Sequence, residues 1–128
     1  MRSLRIFVSI VVAATIAPGA ALAAGARFKG HVGTDTSQTL KFAVSGGKVR
    51  GFEAVIYATC NSGGMLTTVT IPPIKMHAGK FSTIYQPVKG SLTFVYLKGT
   101  ISGSKATGTI RETGSCAFQN QKWNAKGR

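Results

Sequence analysis

The chain has 128 residues, with 16 lysines and arginines against only 3 aspartates and glutamates, a formal net charge of +13. That length holds one small domain. Three acids leave few partners for carboxylate catalysis, and so large an excess of cations points to anionic polymers or membrane surfaces as partners, through counterion release and long-range attraction.

The first residues are those of a secretory signal. Arg2 and Arg5 precede an uncharged apolar run over residues 6–17, then Pro18-Gly19, then Ala21-Leu22-Ala23 with small residues at the −3 and −1 positions. Residues 1–23 are therefore expected to be removed, leaving 24–128 as a single secreted β domain. With no cysteine near the junction to carry a lipid, and a basic C-terminus in place of a hydrophobic tail, the mature protein is expected to be free rather than anchored. The domain then carries 14 basic against 3 acidic residues, a net +11. The two cysteines, Cys60 and Cys116, are expected to form one disulfide in an oxidising compartment.

Along the rest of the chain the apolar residues alternate with polar ones, the period of half-buried strands. Residues 26–32 place Phe28, Gly30 and Val32 on one side and Arg27, Lys29 and His31 on the other. A turn at 33–37 leads to residues 39–45, which bury Leu40, Phe42 and Val44 and turn Lys41 outward. Gly46-Gly47 has the length and composition of a tight hairpin. Residues 48–60, KVRGFEAVIYATC, form the central strand, with Phe52, Ala54, Ile56, Ala58 and Cys60 on one side. Tyr57 points to the other side, where a covering sheet or a docked ligand would meet it.

Further strands are expected over 66–71, over 81–85 beyond the break at Pro72-Pro73, over 92–101, over 106–112, and around Lys122 to Ala125. Leu92, Phe94 and Tyr96 alternate with Val95 and Leu97, which predicts a strand covered on both faces. No segment of 24–128 keeps a helical period. Eight or nine short strands with glycine turns predict an all-β fold, an antiparallel β-sandwich or small barrel, mainly a meander, with one disulfide.

The glycine turns and strand positions Phe28-Lys29-Gly30, Gly79-Lys80-Phe81, Lys98-Gly99-Thr100-Ile101, Ala106-Thr107-Gly108-Thr109, Cys116 and Trp123-Asn124-Ala125 resemble those of an uncharacterised family of small secreted two-cysteine β-rich proteins, similar to those of actinobacteria. The resemblance spans most of residues 24–128 and implies a disulfide-bonded β domain outside the cytoplasm. It implies no activity.

The residues that could carry chemistry are few. Asp35 has the setting of a turn residue, Glu53 that of a solvated partner of neighbouring lysines, and Glu112 that of the exposed end of a hairpin. Glu53 with Glu112 is the one carboxylate pair to consider for hydrolysis. His31 and His77 are isolated and lack ligand-spaced companions, so no metal or other cofactor is expected. Neither a nucleophile elbow nor a phosphate loop is present, and an enzyme is not expected.

The expected function is a non-catalytic extracellular β domain, secreted or bound to the cell envelope, that associates electrostatically with an anionic cell-envelope polymer or membrane surface. Arg27, Lys29 and Lys41 with His31, and Lys48 and Arg50 close by, are the candidate binding face. A specific nucleic-acid partner is not expected, because no RNA-recognition motif is present. The alternative is a secreted protein-binding or inhibitor module using loops 61–65 or 115–121, which adjoin the cysteines; a small hydrolase comes third.

Overall fold

The alternation seen in the sequence becomes a rolled antiparallel sheet in a computed structural model of the protein that describes residues 24–128; the expected signal segment, 1–23, lies outside the described residues. Nine strands follow in order: β1 (Ala24–Val32), β2 (Thr39–Ser45), β3 (Lys48–Cys60), β4 (Gly63–Ile71), β5 (Ile74–Lys75), β6 (Lys80–Tyr85), β7 (Val95–Ser102), β8 (Lys105–Glu112) and β9 (Cys116–Gly127). The sheet runs β4-β3-β2-β1-β9-β8-β7-β6, with β5 also paired to β3. Two meanders, β1 to β4 and β6 to β9, thus join where β9 pairs with β1.

A further pairing closes part of this sheet. β3 overhangs β2 beyond Val55, and β9 overhangs β1 beyond Trp123; the two overhangs meet at Thr59 opposite Ala117 and Cys60 opposite Cys116. The strands β3-β2-β1-β9 therefore form a small four-stranded barrel, with the others extending from it. The disulfide between Cys60 and Cys116 pins that junction. Between the overhangs lies a gap with no strand, and Gln38 occupies it. Its side-chain amide donates to the Val32 carbonyl at 3.0 Å, and its side-chain oxygen accepts the Tyr57 N–H at 2.8 Å. A single side chain here does what a peptide unit does elsewhere in the ladder.

Inside the sheet sits an aromatic cluster with Phe42 at its hub. Phe28 stacks on Phe42 at 5.0 Å and Phe52 at 5.9 Å, while Phe81 and Trp123 meet it edge-on at 5.8 and 5.9 Å. Each such pair adds about 0.5–1.5 kcal/mol to its area burial. Gly99 and Gly108 pair across β7 and β8; a Cβ at Gly99 would overlap the Phe81 ring, and one at Gly108 the Lys98 carbonyl oxygen and the Trp123 ring. Both positions therefore leave no room for a side chain.

The β2–β3 hairpin turns on Gly46 and Gly47, both with positive φ, as a two-residue primed turn requires. A bulge follows at Gly51, also at positive φ, where the register slips between Lys41 and Ala43. This extra residue lets both Val49 and Phe52 face inward, and it turns Lys48 and Arg50 outward although they share the even numbering of Phe52.

Two expectations are corrected. The strand predicted over 92–101 begins at Val95, and only its Val95, Leu97 and Ile101 side is buried; Leu92 is 83% exposed. The apolar Tyr96 on the other face is explained by Arg111, whose guanidinium lies 4.1 Å from the ring centroid, and no covering layer is needed. Tyr57 likewise lies under no second sheet and is 56% exposed.

Candidate functional site

Alternation alone turns Arg27, Lys29 and His31 on β1 and Lys41 on β2 to the outside; register decides which of them meet. Lys29 stands opposite Lys41 on one side and opposite Lys126 of β9 on the other, and Lys126 stands opposite Lys105 of β8. The result is a row of four lysines on four adjacent strands. With neighbouring strands about 4.8 Å apart, the row spans roughly 14 Å.

Like charges directly opposite one another are destabilising across a sheet. Among the described residues one ion pair relieves the row, Lys41 Nζ to Glu53 Oε at 3.9 Å, at its β3 end. Both partners are solvated, so the pair is worth at most about 1 kcal/mol. Lys29, His31, Lys41, Glu53, Asn124 and Lys126 line an open depression of about 650 Å³. Beside it, Arg27 and Arg50 flank Ala43 in the next outward row and share a hollow of about 300 Å³ with Lys29 and Lys41. Arg50 is tethered by a hydrogen bond from Nε to the Ser45 carbonyl at 3.4 Å.

Of the residues nominated from sequence, Arg27, Lys29, His31, Lys41 and Arg50 are therefore brought together. Lys48 is not. It sits at the hairpin end opposite Lys75 and lines neither depression. Lys126, Lys105 and Asn124 were missed, because they join the face only through the pairing of β9 with β1 and β8. Chemically the row presents ammonium groups, each with three donors, on a rigid sheet backed by the core. Such point charges follow a chain of anions and do not demand one ligand shape.

The remaining titratable groups are scattered. Asp35 accepts hydrogen bonds from Ser37 Oγ at 2.7 Å and Ser37 N at 2.9 Å, which hold its carboxyl below the usual aspartate range. Glu112 is not the exposed end of a hairpin that its place in the sequence suggests: it is only 9% exposed, and burial pushes its carboxyl up. Its cross-strand neighbours, Val95 and Phe118, are buried and apolar. Glu53 and Glu112 line different depressions, so the one carboxylate pair considered for hydrolysis does not share a site. His77 lies in the turn before β6, paired through its backbone with Lys80. Among the described residues no three metal-ligating side chains come together.

The two loops considered for protein binding also take definite form. Residues 61–62 are a tight connection, since β4 already begins at Gly63, and 116–121 belong to β9 rather than to a loop. Compared with protein-family models, with curated proteins and with solved structures, the chain finds no match.

Proposed function

We propose that this protein is a non-catalytic extracellular β domain that associates electrostatically with an anionic polymer or membrane surface of the cell envelope. The observation that carries the reading is the in-register row Lys41, Lys29, Lys126 and Lys105. A sheet that keeps like charges opposite one another forgoes stability there, and an anionic ligand would recover it. The Cys60–Cys116 disulfide fits an oxidising compartment. Secretion, removal of residues 1–23 and kinship with small secreted two-cysteine β proteins belong to the same proposal.

The test is retention of the purified protein on polyanionic and neutral matrices across a salt titration. Binding is expected to fall linearly on a log–log plot. The triple variant Lys29→Gln, Lys41→Gln, Lys126→Gln should lower the magnitude of that slope by roughly 2 to 3, at 0.7–0.9 per lost phosphate-like contact. Its fold should be unimpaired, since all three side chains are exposed. Flat retention of the parent protein at low salt would remove the reading.

A second reading, a protein-binding module, is favoured by one observation. Residues 54–74 contain no charged side chain in a strongly cationic chain, and Tyr57, Met65 and Leu66 are exposed within them, beside the edge strand β4. A stoichiometric protein partner whose capture tolerates moderate salt and is lost on Leu66→Lys would select it.

A further inference from the structure

A second depression, of about 660 Å³, opens where β3 and β9 close the barrel, and its walls differ in kind from the lysine row. Tyr57, Thr59, Arg111, Glu112, Gln119 and Gln121 line it. Its volume lies within the usual range for a small-molecule site.

Three features mark it as built. The first is Glu112, nine-tenths buried between Val95 and Phe118 and without a hydrogen-bond or ion-pair partner among the described residues, yet part of the cleft wall. Its carboxylate oxygens keep contact with solvent, since among the described residues the one sealed side-chain polar atom without a partner is Nε1 of Trp123, so they are open to a ligand's donors. The second is a bulge in β9. Ile110 opposes Gln121 and Glu112 opposes Phe118, so β9 spends an extra residue there, the device that re-aims side chains beside functional sites. The third is Tyr57. Its N–H is fixed by Gln38, and its ring lies against Gly64, where any Cβ would overlap it. An exposed aromatic ring packed against Gly64 thus stands at the lip of the cleft, beside the disulfide-pinned strand junction.

The wall chemistry selects the ligand. The one cation, Arg111, is engaged over the Tyr96 ring. The Glu112 carboxyl, set between Val95 and Phe118, can accept hydrogen bonds from hydroxyl groups. The other polar groups are amides and hydroxyls, which both donate and accept. A neutral ligand rich in hydroxyls would satisfy amide, hydroxyl and carboxyl groups together and lay its C–H face on the Tyr57 ring. We infer that the cleft between β3 and β9 binds a neutral saccharide unit, with Tyr57 as the stacking platform and Glu112, Gln119 and Gln121 as the hydrogen-bonding wall. The site is independent of the lysine row and holds whether or not that row binds a polyanion.

The experiment is a titration of the isotopically labelled protein with three uncharged tetrasaccharides, cellotetraose, maltotetraose and N-acetylchitotetraose, followed by amide and side-chain NMR shifts. It is run at about 0.5 M salt, where the screening length of about 4 Å silences the lysine row. At least one sugar is expected to give saturable shifts centred on Thr59, Gln119 and Gln121, including the glutamine side-chain amides. Tyr57→Ala should weaken that binding about tenfold, with Gln119→Ala, also exposed, weakening it several-fold; Lys29→Gln should leave it unchanged. Two results would overturn the inference: no saturable shift in the cleft with any sugar up to about 20 mM, beyond the millimolar range of a weak contact, or undiminished binding by Tyr57→Ala. Retention on polyanions at low salt is a separate readout, so either reading can fail alone.

Discussion

The lysine row and the saccharide cleft both border the outer side of β3, with Glu53 at the edge of one and Tyr57 at the edge of the other. The row is made of regular strand: outward positions in unbroken register, identical charges, side chains exposed to solvent. The cleft is made of exceptions, namely a bulge, two strand overhangs, a polar side chain standing in for a strand, and a carboxyl turned into an apolar setting. Regular sheet can display a repeated charge at fixed spacing, but it cannot surround anything. Concavity arises where the ladder is interrupted, and the interruptions must then be stabilised by specific contacts such as those of Gln38 and the disulfide.

Perturbations of the protein should divide along that line. The largest effect is expected from Phe42→Ala, which removes the ring touched by Phe28, Phe52, Phe81 and Trp123. It should cost toward the upper end of about 3–5 kcal/mol in denaturant unfolding. Both regions should suffer alike, because both rest on the same core. Next comes removal of the disulfide by Cys60→Ala with Cys116→Ala. The bridge joins residues 56 apart in sequence, and closing a loop of that size is worth about 4 kcal/mol in the chain-entropy model. Here the regions should separate: amide exchange should quicken around Thr59 and Ala117 before it changes at Lys29 and Lys41.

Gln38→Ala should follow at about 1–3 kcal/mol, the cost of stranding the Tyr57 N–H and the Val32 carbonyl. Hydrogen exchange read residue by residue should show Tyr57 as the amide most affected.

The smallest effect is a pH dependence. The Glu112 carboxyl is raised in the folded protein, so between the ordinary glutamate range and that raised value the folded chain keeps a proton the unfolded chain has released. Stability should fall as pH rises through that interval. Glu112→Gln should abolish this fall, in thermal unfolding scans at a series of pH values. Asp35, lowered by Ser37, acts with the opposite sign: its contribution is present above the ordinary aspartate range and is lost as pH falls toward its lowered value. The double variant Glu112→Gln, Asp35→Asn should be the flattest of the series.

How much of this was legible in the sequence follows the same division. The strands, the Gly46-Gly47 hairpin, the buried sides of β1, β2 and β3, and the outward set Arg27, Lys29, His31 and Lys41 all follow from a period of two and turn composition. Lys126 and Lys105 were hidden because nothing local in β9 says that it lies beside β1. Lys48 and Arg50 were grouped by proximity in sequence; the bulge at Gly51 turned both outward, but only Arg50 reaches the face. Leu92 and Phe94 extended a strand on paper because they are apolar. In the folded chain the backbone around them serves as a brace instead, with Thr113 Oγ1 donating to the Leu92 carbonyl and accepting the Phe94 N–H. Gln38 carried no signal, since a polar residue after a turn is what an exposed position looks like; Glu112 shares the buried phase of Ala106 and Ile110, a signal outweighed by its charge and its place near a hairpin end.

The closure by β9 has a kinetic consequence. The strand made last of the nine supplies neighbours to β1, β3 and β8 at once. A chain emerging N-terminus first can form the β1 to β4 meander early, yet the outer edge of β1 and the overhang of β3 then wait, unpaired, until β9 (Cys116–Gly127) follows, 45 to 56 residues after Ile71. Pairings so distant in sequence fold slowly, and open strand edges are where aggregation begins. The abundant outward lysines would keep such half-made chains apart during that delay, since like-charged edges repel.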